Sequence, residues 1–141
     1  MRNLAIVFAA LLVASCDAHA SHEQPGPLYK VQDCSKAMVQ MEINQCADAN
    51  FESADHALNE TYRKLMDAQT DQASKDKLRD SERSWIKFRD QECARQVGPR
   101  EGGGSIWPMD MANCLETKTA ERLRELHHSL DCPEGPNACA K

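Results

Sequence analysis

Apolar residues along this chain fall into three long stretches of helical spacing. From about residue 40 to 69 they occur at Ala47, Phe51, Ala54, Leu58, Tyr62 and Leu65, in steps of three and four. No proline or glycine interrupts them, so a first helix is predicted. Asp71-Gln72-Ala73-Ser74 reads as a reversal, with Asp71 or Ser74 available to cap the next helix. That second helix is expected from about Lys75 to Gln96, with Leu78, Trp85 and Phe88 on its inner face, and Gly98-Pro99 ends it. Residues 98–105 hold four glycines and a proline and are read as a loop. A third helix is expected from about Pro108 to Leu130, along the stripe Ala112, Leu115, Thr119, Leu123, Leu126 and Leu130. Pro133, Gly135 and Pro136 forbid its continuation. No segment alternates like a strand. The fold class is therefore all-α, a small up-down-up three-helix domain.

Ahead of these helices lies an export leader. Arg2 precedes an eleven-residue apolar run, Leu4 to Ala14. That run is too short to span a bilayer, which takes roughly 20 residues, but it fits a signal-peptide core. Val13-Ala14-Ser15-Cys16 resembles a bacterial lipobox, with residues 1–15 removed and Cys16 acylated. Cleavage after Ala20, at Ala18-His19-Ala20, would instead release a soluble chain. Residues 17–33 are polar, include Pro25-Gly26-Pro27, and read as a flexible tether. The folded domain is expected over 34–131, with a cysteine-bounded tail at 132–141.

Six cysteines remain after the leader: Cys34, Cys46, Cys93, Cys114, Cys132 and Cys139. An even count in an exported chain of this size predicts up to three disulfides stapling the domain. The chain has only two tryptophans, two tyrosines and three phenylalanines, one of these in the leader, so its core rests on Leu, Ala and Met. Disulfides, typically worth about 2–4 kcal/mol each, add the missing stability. Cys132 and Cys139 flank a short Pro/Gly loop and pair naturally. Cys93 and Cys114 lie on either side of the glycine loop, which favours their pairing and leaves Cys34 with Cys46. That last pair requires Ser35–Val39 to turn back along the first helix. If Cys34 merely extended the helix it would stand about 18 Å from Cys46, and Cys34–Cys93 or Cys46–Cys93 would be preferred.

Charge and motifs narrow the chemistry. The mature chain is 126 residues with net charge −6 after the lipobox cut, or 121 residues with −5 after Ala20. Such a protein is a poor nucleic-acid binder and suits a cationic protein partner. No C-x2-C pair is present, and His127 and His128 are adjacent, about 100° apart on a helix, so no metal site is expected. No nucleophile elbow, zinc-protease or phosphate-loop pattern occurs, so no catalytic residue and no cofactor are assigned. The informative polar residues sit beside the core: Asp55 and Asn59 on the first helix, Arg89 and Asp90 on the second, Thr119 and Arg122 on the third. They read as a network that fixes helix register.

Taken in order, several of these residues resemble the LprI-like lysozyme-inhibitor family of exported bacterial proteins. The resemblance begins at Cys34 and runs through residues 39–46 to Phe51, Asp55, Leu58-Asn59 and Tyr62. It continues through Trp85-Ile86-Lys87-Phe88-Arg89-Asp90-Gln91-Glu92-Cys93, Gly103-Gly104-Ser105, Cys114, Thr119, Arg122 and Leu126. Val39 stands where the family places a threonine, removing a side-chain cap. The 132–139 extension falls outside the pattern. The resemblance implies a helical, periplasmic or lipid-anchored envelope protein, not an enzyme, that binds and blocks lysozyme or another peptidoglycan hydrolase. On that reading the glycine loop enters the target's cleft. Glu101 and Ser105 make polar contacts there, Gly103 and Gly104 provide slenderness, and Trp107 packs at the edge. A competing expectation is an envelope adaptor, or an immunity protein for one toxin, with no effect on lysozyme.

Overall fold

The computed structural model describes residues 27–132. The expected leader, Cys16, Cys139 and the expected Cys132–Cys139 bridge lie outside the described residues. Three helices form in up-down-up order: α1 over Gln40–Ala68, α2 over Gln72–Val97 and α3 over Trp107–Asp131. Among the described residues there is no strand, and no helix is long and apolar enough to cross a membrane.

The core lies between α1 and α3. Leu58, Leu65, Leu123 and Leu126 are buried together, with Tyr62, Leu78, Trp85 and Leu130 packed against them. These are the positions the steps of three and four select, so the period of the sequence is the period of the buried stripe. α3 packs extensively on α1 and less on α2. Thr119 and Ala54 are fully buried, where small side chains let the helices approach.

α2 departs from expectation in two ways. It begins at Gln72, so only Gln69–Asp71 separates it from α1. The cause is Asp71, whose backbone is extended and whose carboxylate accepts the Ser74 N–H at 2.9 Å, capping the helix three residues early. The inner face also differs: Phe88 is 56% exposed, while Glu82, Arg89 and Cys93 are buried. Residues 82, 89 and 93 are spaced by seven and four and share one side of a helix. The Cys93 disulfide and the Arg89 contacts fix the rotation of α2, and position 88 is turned outward.

The segment before α1 is docked. The Tyr29 hydroxyl donates to Glu116 Oε1 at 2.8 Å. Buried Asn50 accepts the Gln32 N–H at 2.7 Å and donates to the Gln32 carbonyl at 3.2 Å. Tertiary contacts are thus already made at Tyr29, inside the stretch read as a tether. Burial and the Glu116 carboxylate push the Tyr29 phenol up to about 12. A 3-10 turn over Cys34–Lys36 and an extended Val39 then reverse the chain onto α1. This is the turn the Cys34–Cys46 pairing requires, and that disulfide is formed with its Cα atoms 5.8 Å apart. Val39 supplies no side-chain cap; the Glu42 carboxylate instead accepts the Met38 N–H at 2.9 Å.

α2 ends on Gly98, whose φ of +81° and ψ of −177° belong to a region essentially restricted to glycine. A Cβ there would meet no atom within 4 Å, so the cost of a side chain is conformational alone. Gly98→Ala is expected to destabilise by about 1–2 kcal/mol. Gly102→Ala, also in open space but at an ordinary φ, is expected to change stability by less than about 0.5 kcal/mol. Urea unfolding of the pair checks this, and equal effects would contradict it.

Candidate functional site: the disulfide-pinned end and its polar brace

The polar residues expected beside the core divide into two clusters. Arg89 is the centre of the first. Its Nη1 donates to Asp55 Oδ1 at 3.2 Å and to Thr119 Oγ1 at 3.3 Å, and its Nε donates to Asp90 Oδ1 at 2.9 Å. Asn59 Nδ2 donates to the Asp55 carbonyl and to Asp55 Oδ2, both at 2.9 Å. One guanidinium therefore joins all three helices, and its planar donors suit three acceptors at fixed angles. It also lies over the rings of Phe51 and Trp85, at 5.4 and 5.2 Å.

Arg122 belongs to the second cluster. It pairs with Glu82 at 3.0 Å and Glu125 at 2.8 Å, and its guanidinium lies 5.9 Å from the Trp85 ring. Trp85 thus links the two clusters. No motif marks Glu82, yet it occupies the stripe Leu78, Glu82, Trp85, Arg89, Cys93; a charge at core spacing is the available signal. Its Oε1 is buried without a partner. Burial raises the Glu82 carboxyl above its ordinary 4.5, against the pull of Arg122. A raised folded value favours the protonated form. Its contribution to stability is complete below about pH 4.5 and is lost as pH rises through the folded value. The stability of the wild type relative to Glu82→Gln should therefore fall as pH rises from about 4.5. A difference that grows over this window would contradict the assignment.

Both described disulfides gather at one end of the bundle. Cys93–Cys114 spans the glycine loop with Cα atoms 5.7 Å apart, and Cys34–Cys46 closes the entry to α1 beside it. Two 3-10 turns, Arg100–Gly102 and Gly104–Ile106, shape the loop. Trp107, the first residue of α3, closes it. Its Nε1 donates to the Gly98 carbonyl at 3.0 Å, and Arg100 folds back over its ring at 5.5 Å. Gly103 lies so close to the indole that a Cβ there would run into the ring. Asn44 Nδ2 donates to the Ser105 carbonyl at 2.9 Å and fastens the loop to α1. Trp107 is thus a half-buried clasp of the loop, and Glu101, Gly104 and Ser105 are exposed. Asn44 and Asn50 escaped sequence reasoning because single asparagines carry no periodic signal.

Among the described residues, no group of three or more His, Cys, Asp or Glu side chains is placed to hold a metal. His127 pairs with Asp131 at 3.2 Å, while the His128 Nδ1 lies 3.7 Å from the Cys132 sulfur. The two adjacent histidines engage different neighbours.

Comparison with known proteins is consistent with this architecture. Residues 32–126 match the family described as Lysozyme inhibitor LprI. An uncharacterized protein of Rhizobium meliloti is 36% identical over 138 residues, covering 89% of this chain and 95% of that protein. No solved structure matches. The matched segment takes in all three helices except the last residues of α3, both described disulfides and the glycine loop, and the chain belongs to the LprI lysozyme-inhibitor family.

Proposed function

We propose that this protein is an exported inhibitor of lysozyme or a related peptidoglycan hydrolase, acting in the bacterial cell envelope through the 98–107 loop. The observation that carries the reading is a slender, glycine-rich loop already ordered before it meets a target. Cys93–Cys114, the Trp107 clasp and the Asn44 bond hold it from three sides. A preordered loop loses less entropy on binding, so more of its contact energy appears as affinity. Glu101 and Ser105 project from it and reach polar groups in the cleft. The net negative charge of the chain favours encounter with a cationic hydrolase. Acylation at Cys16 would hold the domain at a membrane surface, and cleavage after Ala20 would leave it free in the periplasm.

The test is titration calorimetry of the oxidised protein with a c-type lysozyme. The wild type should form a one-to-one complex, and Ser105→Arg should weaken it at least tenfold. That substitution leaves the Asn44 bond intact, since Ser105 contributes its carbonyl. A substitution at Gly103 would be a poorer probe because it displaces Trp107. An unchanged affinity for Ser105→Arg would remove the loop from the mechanism. Absence of a complex with lysozymes of every class would remove the inhibitor reading.

A further inference from the structure

The disulfide-pinned end exposes more apolar surface than the loop alone explains. Met38 is 86% exposed, Met41 65%, Val39 52% and Ile106 47%. They belong to the two segments that meet at this end, the start of α1 and the 104–106 turn packed on it. Met38 and the extended Val39 immediately precede α1, and Met41 is in its first turn. Ile106 ends the 3-10 turn that rests against α1, next to the Ser105 carbonyl held by Asn44. Unbranched methionines at a surface adapt their shape to a partner. Their cost in water is accepted here on a backbone fixed by Cys34–Cys46, so these side chains are presented rather than frayed.

The surrounding charge is net negative. Asp33, Glu42, Glu101 and Asp110 lie on or next to this end, against Lys36 and an Arg100 that is folded over Trp107. An apolar centre with an acidic rim matches a cationic protein surface that has an apolar depression.

We infer that Met38, Val39, Met41 and Ile106 form the anchoring half of the partner-binding surface, seated on the apolar rim of a cationic hydrolase's substrate cleft while the adjacent loop enters it. The inference rests on the inhibitor reading above and extends it: the methionine collar adds affinity to that of the loop, and the loop supplies blockage.

Three variants test it in a lysis assay with c-type lysozyme. Met38→Asp/Met41→Asp and Ile106→Asp place charge within the collar. Thr70→Asp places the same charge in the exposed α1–α2 turn, about 40 Å away along the 29-residue α1. Circular dichroism confirms that each is folded, as substitution at exposed sites predicts. The collar variants should raise the half-inhibitory concentration at least tenfold and Thr70→Asp less than twofold. Hydrogen exchange of the wild-type complex should slow at residues 38–44 and 104–107. If the wild type inhibits and the collar variants inhibit equally well, the collar is overturned while the inhibitor reading stands. If the wild type does not inhibit, both fall.

Discussion

Replacing Cys93 and Cys114 together by alanine is expected to lower stability by about 3 kcal/mol and to abolish inhibition. The two residues are 21 apart in sequence, and closing a loop of that size removes about 3 kcal/mol of freedom from the unfolded chain. In a domain of this size that corresponds to a fall in melting temperature on the order of 10–20 °C. Cys93 is fully buried, so the alanine also leaves a sulfur-sized gap against α3. The functional loss arises separately. Without the bridge, the ends of the 98–107 loop are held only by the Trp107 clasp and the Asn44 bond, and the loop must be ordered at the moment of binding. Thermal unfolding and lysis inhibition, measured on the same variant, separate the two effects. A variant that melts lower yet inhibits fully at 10 °C would show that the bridge stabilises the fold without preparing the loop.

Arg89→Ala carries the second large effect, a destabilisation of about 2–3 kcal/mol. Removing one member of a buried ionic cluster strands its partners, which costs about 3–5 kcal/mol when the site is fully enclosed. Here the Asp55 side chain is 37% exposed and the Asp90 side chain 55%. Water recovers part of their solvation, and the lower figure results. Thr119 is fully buried and would lose the Arg89 donor to its hydroxyl. Arg89→Lys should recover only a minor part, because one ammonium cannot hold three acceptors and lie over two rings together. Urea unfolding measures both, and a loss below about 1 kcal/mol for Arg89→Ala would mean that the brace is dispensable.

α1 and α3 were legible because their buried faces repeat Leu and Ala at helical steps over many turns. α2 was legible as a helix, and Leu78 and Trp85 marked part of its inner face, but the rest of that face was not. Three of the five stripe residues from Leu78 to Cys93 are Glu82, Arg89 and Cys93, and no apolar count selects them. Their burial depends on partners on other helices: Arg122 for Glu82, Asp55 and Thr119 for Arg89, Cys114 for Cys93. Phe88 misled for the converse reason, since an aromatic beside the stripe is turned outward once Arg89 and Cys93 set the rotation. The polar residues were found, but not their division into two clusters, because spacing along one helix says nothing about which partner lies across. Tyr29 and Gln32 docked without announcing themselves; one ring and one backbone amide in a polar stretch leave no pattern. The glycine loop was recognised by composition. Its clasp by Trp107 was not, because the contact depends on the two 3-10 turns between Gly98 and the ring.

Blockage of a peptidoglycan hydrolase by an ordered loop at the disulfide-pinned end is tested most directly by the lysis of a cell-wall suspension. Turbidity is followed with c-type lysozyme as the oxidised protein is added. Lysis should fall in proportion to the protein added and be lost near one equivalent, and reduction of the disulfides should restore it. Undiminished lysis at large excess, with c-type lysozyme and then with the other lysozyme classes, would contradict a hydrolase-blocking role.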